Sequence, residues 1–211
     1  MVVPEAKVVI LGAQSVGKTS FLHRYVGQIF EQHAAPTIGA SFFSCRTRVD
    51  DHELQLLIWD TAGQERFRSM APMYYRNANA AILMFDITCY DSYISMKEWV
   101  NELRLHLEDP IIMCVVGNKC DMSSFRQVGF QEASNYAISI GALYHESSAL
   151  NSQGVEGVFL DISQELIQQA ERNREKNAKD LAFQEGRVIR VNRSSSSTLE
   201  NSEDEKSFIC C

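Results

Sequence analysis

The chain has 211 residues, of which 45% are hydrophobic, so it can bury the core of one ordinary domain with residues left over. Its formal net charge of -7 and its pI near 5.3 argue against nucleic acid as a partner. No run of 18 apolar residues predicts a membrane span.

Short apolar runs alternate with helical patterns along most of the chain. Strands are predicted at residues 7–11, 42–49, 54–59, 80–85, 111–117 and 143–146, and helices at 18–26, 65–76, 93–107, 130–140 and 154–177. Several strands are almost entirely apolar, which is typical of parallel strands covered on both faces. The short polar segment 50–53 suits a hairpin, which makes one pair antiparallel. The pattern predicts a doubly wound α/β fold with a six-stranded, mostly parallel sheet and helices on both faces.

The composition changes near residue 171. Charged and polar residues then predominate, and a serine run at 194–197 precedes an acidic stretch at 200–205. Such a sequence buries too little apolar surface to offset the entropy of ordering. We therefore expect residues 5–170 to form the globular domain and residues 171–211 to form a flexible tail.

Four cysteines precede the tail: Cys45, Cys89, Cys114 and Cys120. They lie among apolar or strand-like stretches and form no CxxC pair, so we expect buried free thiols in a reducing compartment. The five histidines form no recognisable ligand motif, and no zinc site is predicted.

Residues 12–19 match the phosphate-binding pattern GxxxxGK[ST]. They follow a predicted strand and open a predicted helix, so backbone N–H groups and the helix N-terminus would face an anion. Lys18 would reach the β- and γ-phosphates, and the Thr19 hydroxyl would ligate Mg²⁺. The alternative is a glycine-rich turn without chemistry, and the motif alone indicates only that a nucleoside triphosphate binds.

A second set of polar residues follows the predicted strand 54–59. Asp60 would lie at the carboxyl edge of the sheet near the metal, as a Walker B carboxylate requires. The backbone at Gly63 is free to approach a γ-phosphate, and Gln64 can orient a water. An aspartate that ends a strand is often only a turn former, but its combination with Thr19, Gly63 and Gln64 favours a catalytic site.

Residues 118–121, Asn-Lys-Cys-Asp, predict selection of the base. Asp121 can accept hydrogen bonds from N1–H and the 2-amino group of guanine, a donor pair that adenine lacks. Because an unpaired buried acceptor is costly, such a site discriminates strongly. Further along, Ala149 follows a strand and two serines, and its N–H would meet the guanine O6. The alternative for residues 118–121 is a plain aspartate turn.

Together these motifs resemble the Ras-like small GTPases, and specifically the Rab family, over about residues 5–170 and at the terminal cysteines. Segments 38–42, 59–67 and 74–76 look like segments that distinguish Rabs, and the combination of 38–42 with 70–76 is similar to the early-endosomal branch of the Rabs. The resemblance implies a P-loop NTPase fold of the small G domain type. It also implies a GTP hydrolase that requires Mg²⁺, cycles between GDP and GTP states and recruits effectors in vesicle trafficking, with endosomes as the expected membrane.

The resemblance also assigns individual residues. Thr37 would bind Mg²⁺ and the γ-phosphate only in the GTP state, and Phe30 would pack against the guanine. Effectors would contact Ile38, Phe42, Trp59 and Tyr74, although aromatic residues near strands are usually ordinary core. The predicted nucleotide site comprises Gly12, Gln14, Ser15, Val16, Gly17, Lys18, Thr19, Ser20, Phe30, Thr37, Gly63, Asn118, Lys119, Asp121, Ser148, Ala149 and Leu150. The predicted metal site comprises Thr19, Thr37 and, through water, Asp60, and the predicted catalytic residues are Gln64 and Lys18.

Two positions depart from the family pattern. Gln14 replaces the glycine of Ras itself, and its long side chain could crowd the attacking water or an incoming arginine, so slow hydrolysis is expected. Leu150 replaces a lysine that lies along the base. A leucine can still cover the guanine face, so weaker nucleotide binding with unchanged specificity is expected.

The chain ends in Cys210-Cys211, which resembles the double-cysteine ending of Rabs that carries two geranylgeranyl groups. Two lipid chains give stable membrane anchoring, whereas one gives only marginal binding. The implied partners are an exchange factor, a GTPase-activating protein, effectors, a prenyl-transferase escort protein and a GDP-dissociation inhibitor. The protein is expected to be a monomer on the cytoplasmic face of intracellular membranes that exchanges with the cytosol.

Two other functions compete with a GTP-hydrolysing switch. Gln14 also allows a nucleotide-loaded scaffold with negligible turnover. A P-loop kinase or ATPase would share the phosphate motif, but residues 118–121 suit guanine and no second set of substrate-clamping arginines is evident.

Overall fold

The computed structural model describes residues 4–27, 37–64, 69–107 and 109–194, with side chains as far as residue 179. Its strands are β1 (Glu5–Gly12), β2 (Ala40–Val49), β3 (His52–Thr61), β4 (Ala80–Asp86), β5 (Ile112–Asn118) and β6 (Leu143–Glu146). They form one six-stranded sheet in the order β2-β3-β1-β4-β5-β6. β2 and β3 are antiparallel, and the other neighbouring strands are parallel. The predicted fold class is confirmed.

In the described part of the chain, five α-helices connect or follow the strands: α1 (Lys18–Gly27), α2 (Ala71–Tyr75), α3 (Tyr90–His106), α4 (Phe130–Ser139) and α5 (Val155–Ser194). A 3₁₀ helix at Cys120–Phe125 was not predicted. Of the helix predicted at 65–76, residues 65–68 lie outside the described residues, and α2 is the part that the structure assigns as α-helix.

The sheet is buried on both faces, and β1 shows how. Val8 and Ile10 lie in a core with residues of α1 and α5, whereas Val9 and Leu11 lie in a second core with residues of α2, α3 and α4. All four side chains are fully buried. Alternate residues of a strand point to opposite faces, so a strand with helices on both sides needs an unbroken apolar run.

The hairpin between β2 and β3 is tighter than the sequence predicted. Val49 pairs with His52, so only Asp50 and Asp51 form the turn, where a four-residue connection was expected. Asp50 adopts a left-handed backbone with φ of 52°, which aspartate tolerates better than most residues.

The last helix is longer than expected. α5 continues to Ser194, so the helix end predicted at residue 177 is wrong, and residues 171–194 are helical where a flexible tail was expected. Residues 171–183 are rich in Glu, Lys, Arg and Ala and contain no proline, which favours a helix locally even without a core to bury. The chain divides into two compact units, Met1–Gln168 and Gln169–Cys211. The flexibility of residues 171–211 stays a prediction.

Among the described helices, none has an apolar stretch long enough to cross a bilayer. The four cysteines before the tail are free thiols, as predicted. Cys114 is buried, and Cys45 and Cys120 are half-buried, but Cys89 is exposed, which contradicts the expectation of a buried thiol there.

Candidate functional site

The sheet order brings the predicted motifs to one edge. The segments that follow β1, β3, β5 and β6 contain the phosphate loop, the Asp60 region, residues 118–121 and residues 147–149. Because β1, β3, β4, β5 and β6 run in the same direction, these segments leave the same, carboxyl edge of the sheet. Open α/β sheets bind ligands in the crevice at that edge.

The phosphate loop surrounds a buried cation. The ammonium of Lys18 donates to the carbonyl oxygens of Gly12 at 2.9 Å and of Ala13 at 2.8 Å. Burial lowers the pKa of Lys18 to about 8, and the nearby Asp60 carboxylate opposes that shift. A cation held by two carbonyls at the start of a helix is well placed for an incoming anion.

The loop also packs closely against residue 118. Gly17 has a left-handed φ of 97°, and a Cβ added there would lie 2.5 Å from Asn118 Nδ2. Only glycine satisfies both the backbone conformation and this close approach.

Three side-chain oxygens from distant segments meet beside Lys18. The Thr19 hydroxyl donates to Asp60 Oδ2 at 2.6 Å, and its Oγ1 lies 2.8 Å from Thr37 Oγ1. Asp60 Oδ1 is buried and has no hydrogen-bond partner among the described residues. Burial raises the pKa of the Asp60 carboxyl, while the Thr19 hydroxyl, Lys18 and His23 favour its charged form. A compact set of hydroxyl and carboxylate oxygens with one unsatisfied atom fits Mg²⁺, which prefers oxygen ligands and retains several waters.

A cleft of about 130 Å³ adjoins these oxygens. Gly63 closes one side, where an added Cβ would overlap Lys18 Nζ and lie 2.5 Å from the Ala13 carbonyl oxygen. The cleft therefore brings the predicted catalytic residues Lys18 and Gln64 together with Gln14. Its lining comprises Gln14, Ser15, Gly17, Lys18, Thr19, Ser20, Thr37, Thr61, Gly63 and Gln64.

Asn118 joins the phosphate loop to the predicted base loops. Its Nδ2 donates to the Val16 carbonyl at 2.8 Å, and its Oδ1 accepts from the Ser147 hydroxyl at 3.1 Å. The Asn118 side chain is buried. Nearby, Asp121 Oδ1 accepts from the Ser148 hydroxyl, so the two base motifs touch each other directly.

Sequence reasoning missed Asp86. Its carboxylate forms an ion pair with Lys119 at 2.7 Å, and Lys119 has a left-handed φ of 65°. Asp86 ends the apolar strand β4 at the same sheet edge as Asp60. That pattern, a carboxylate that ends a buried strand, was available in the sequence and could have identified it.

Sequence reasoning also missed Arg24. Its guanidinium donates to the carbonyl oxygens of Ala149 and Leu150, which are 125 and 126 residues away in the chain. Ala149 is buried, whereas Leu150 is about half exposed. No local pattern marks a contact over such a separation.

Three of the predicted effector residues, Phe42, Trp59 and Tyr74, form a continuous aromatic cluster. The ring centroids of Phe42 and Trp59 are 5.3 Å apart, and those of Trp59 and Tyr74 are 5.8 Å apart. Trp59 and Tyr74 are half-buried against the core, whereas Phe42 is 52% and Ile38 is 79% exposed. Trp59 and Tyr74 therefore contact the core, whereas Phe42 and Ile38 offer apolar surface to a partner.

Three predicted site residues, Phe30, Cys210 and Cys211, lie outside the described residues. The other predicted site residues are described, and those of the nucleotide and metal sites lie along one edge of the sheet.

The Ras family model matches residues 7–168, most of the chain. The chain belongs to the Ras family. Among curated relatives, Ras-related protein Rab-31 of Homo sapiens is 46% identical over 166 residues, which cover 79% of this chain and 85% of that protein. Ras-related protein Rab-21 of Homo sapiens is 45% identical over 165 residues, which cover 78% and 73%. Ras-related protein RabJ of Dictyostelium discoideum is 47% identical over 163 residues, which cover 77% and 64%.

The predicted Rab resemblance is confirmed at this level of identity. This Ras-family GTPase is thus a GTP hydrolase of the Rab type that cycles between GDP and GTP states in vesicle trafficking.

Proposed function

We propose that this GTPase binds Mg²⁺ and GTP along the carboxyl edge of its sheet and uses the resulting switch to recruit effectors at an endosomal membrane. The observation that supports this best is the meeting of the Thr19, Thr37 and Asp60 oxygens beside the buried Lys18 ammonium. Those residues come from three segments that the chain separates widely, and a metal–triphosphate site is the chemistry that all of them share.

Thr19 and Thr37 would hold Mg²⁺ directly, and Asp60 would hold it through water. When bound, Mg²⁺ neutralises charge on the β- and γ-phosphate oxygens. Lys18 exchanges its contacts with the Gly12 and Ala13 carbonyls for phosphate oxygens and adds a second positive charge there. The amides of the phosphate loop, from Gln14 to Ser20, donate to the phosphates.

Gln64 orients the attacking water in the hydrolytic step. Its amide oxygen accepts a hydrogen bond from that water, and its amide nitrogen donates toward the γ-phosphate. The water oxygen forms a bond to the γ-phosphorus as the bond to the β,γ-bridging oxygen breaks. The electron pair leaves on GDP, and the proton of the water ends on the released phosphate. An arginine from a GTPase-activating protein adds positive charge to the transition state.

The base lies between residues 118–121 and 147–150. Asp121 accepts from N1–H and the 2-amino group of guanine, and the Ala149 N–H donates to O6. Lys119, which forms an ion pair with Asp86, would contribute to this site. Leu150 would cover a face of the guanine, and Phe30 would pack against the guanine. Polar selection of this kind discriminates strongly because the wrong base leaves buried groups unpaired.

Thr37 links the nucleotide to the effector surface. In the GTP state its contact with Mg²⁺ and the γ-phosphate would order the adjoining segment, including Ile38. That segment and the aromatic residues Phe42, Trp59 and Tyr74 would then form the effector site.

The membrane partner is reached through lipid. Geranylgeranyl groups on Cys210 and Cys211 would anchor the protein, and an escort protein and a GDP-dissociation inhibitor would handle the lipids in the cytosol. An exchange factor and a GTPase-activating protein would drive the cycle. The endosomal assignment is supported by segments 38–42 and 70–76 and by the similarity to Rab-31 and Rab-21.

The first test is the identity of the nucleotide extracted from freshly purified protein and separated by ion-exchange chromatography. Mostly GDP supports both guanine selection and hydrolysis. Mostly GTP supports the second candidate, a nucleotide-loaded scaffold with negligible GTP turnover, which the position of Gln14 in the catalytic cleft favours. Adenine nucleotide would refute the proposed base site.

A further inference from the structure

We propose that Arg24 is a positioning residue for base selection: it holds the loop whose Ala149 N–H meets the guanine O6. The inference rests on the proposed guanine site and adds a residue to it. Arg24 lies in the last turn of α1, the helix that begins at Lys18 in the phosphate loop.

The contact uses two donors that lie along one edge of the guanidinium. Nε donates to the Ala149 carbonyl at 2.8 Å, and Nη2 donates to the Leu150 carbonyl at 3.0 Å. The guanidinium is planar and its donors keep a fixed spacing, so two successive carbonyls are held in one orientation. Hydrogen bonds from a charged donor are also roughly twice as strong as neutral ones.

Ala149 is restrained from its other side as well. The hydroxyl of the preceding Ser148 donates to Asp121, and the Ser148 N–H donates to the Gln153 carbonyl at 2.9 Å. Peptide groups are planar, so fixing the carbonyls on one side of Ala149 and Ser148 on the other limits how far the Ala149 N–H can turn. Arg24 supplies one of these two restraints.

The restraint joins the part of the protein that would bind phosphate to the loop that would bind the base. Arg24 and Lys18 both lie in α1. The Lys18 ammonium, which would contact phosphate, and the Arg24 guanidinium, which holds the loop of Ala149 and Leu150, are therefore carried by one rigid helix. Asn118 provides a separate connection through Val16 and Ser147. Loss of Arg24 should therefore loosen recognition of O6 while the phosphate contacts and Asp121 remain.

The experiment compares the release of two nucleotides from full-length protein loaded in the presence of Mg²⁺. One is GDP, and the other is 6-thioguanosine 5′-diphosphate, in which a weakly accepting sulfur replaces O6 while N1–H and the 2-amino group remain. The variants are Arg24→Ala and Arg24→Lys. Lysine keeps the positive charge and the aliphatic chain but cannot donate to two carbonyls at a fixed spacing. The lysine variant therefore tests the positioning role if the alanine variant folds poorly.

Arg104→Ala is the matched control. Arg104 Nη2 donates to the Ile140 carbonyl at 3.0 Å, the same kind of contact at the end of α4, and Arg104 contributes nothing to the proposed nucleotide site. Its release rates for both nucleotides should equal those of the wild type.

We expect Arg24→Ala to accelerate GDP release by about 5- to 30-fold, as the loss of one to two kcal/mol of restraint requires. Release of the thio analogue should accelerate by about threefold or less, and Arg24→Lys should be intermediate. Equal acceleration of both nucleotides, or none, would overturn the positioning role, since the first result indicates general loosening. Wild-type protein that releases both nucleotides at one rate would refute O6 recognition itself, and Arg24 would then have nothing to position.

Discussion

Replacing Asn118 by alanine tests the connection between the phosphate loop and the base loops. The side chain is 1% exposed, donates to the Val16 carbonyl at 2.8 Å and accepts from the Ser147 hydroxyl at 3.1 Å. Each of the two buried partners left unsatisfied costs about 1–3 kcal/mol, so Asn118→Ala should lower the free energy of unfolding by about 2–6 kcal/mol. For a domain of this size, the melting temperature should fall by roughly 4–24 °C.

Urea unfolding followed by tryptophan fluorescence measures this loss, first after nucleotide removal and then in excess GDP. The nucleotide-free value reports the two lost hydrogen bonds. The additional loss in GDP reports weakened binding, because the stabilisation by a ligand rises with the logarithm of its affinity for the folded state.

Asn135→Ala is the matched control for this substitution. Asn135 Oδ1 accepts from Gln131 Nε2 at 2.7 Å on the exposed face of α4, so its loss should change the free energy of unfolding by no more than about 0.5 kcal/mol. If Asn118→Ala proved as mild as Asn135→Ala in both conditions, the bridging role of Asn118 would be refuted.

Two further predictions concern Gln14 and the cysteines. Gln14→Gly should raise the single-turnover rate of phosphate release by about tenfold, which corresponds to ~1.4 kcal/mol in the barrier. The reason is that Gln14 lines the same cleft as Gln64 and would crowd the attacking water. An unchanged rate would show that Gln14 does not crowd the water. In the folded protein, iodoacetamide should modify the exposed Cys89 and spare Cys114, because burial raises the pKa of the Cys114 thiol far above its ordinary value. Peptide mass spectrometry before and after unfolding measures which cysteine is modified, and early modification of Cys114 would contradict its burial.

Most of the fold was predictable because a strand that is buried on both faces requires a nearly continuous apolar run, which is easily recognised in the sequence. β6 has the bounds that were predicted, and the other strands differ mainly by one or two polar residues at their ends. Helix ends were harder to predict, and α3 is an example. It begins at Tyr90 and not at residue 93, and its first turn packs against the end of β4, where the Asp86 N–H donates to the buried Ser92 hydroxyl at 2.9 Å.

The end of α5 was predicted too early in the chain. Charged and polar residues predominate from about residue 171, and the prediction ended the helix at 177. Helix propensity acts residue by residue and does not require a core, so a stretch rich in good helix formers can continue as the structure describes it to Ser194.

The sequence by itself determined the parts of the site that are local in the chain. The phosphate loop, the Asp60 segment and residues 118–121 each need a fixed spacing beside one strand end, and a reader of the sequence can recognise that spacing. The tertiary structure alone decided which of these segments touch. The ion pair of Asp86 with Lys119, the bridge from Asn118 to Val16 and the contact of Arg24 with Ala149 join residues 33 to 125 positions apart. Such contacts depend on the order of strands in the sheet, and no local pattern records that order.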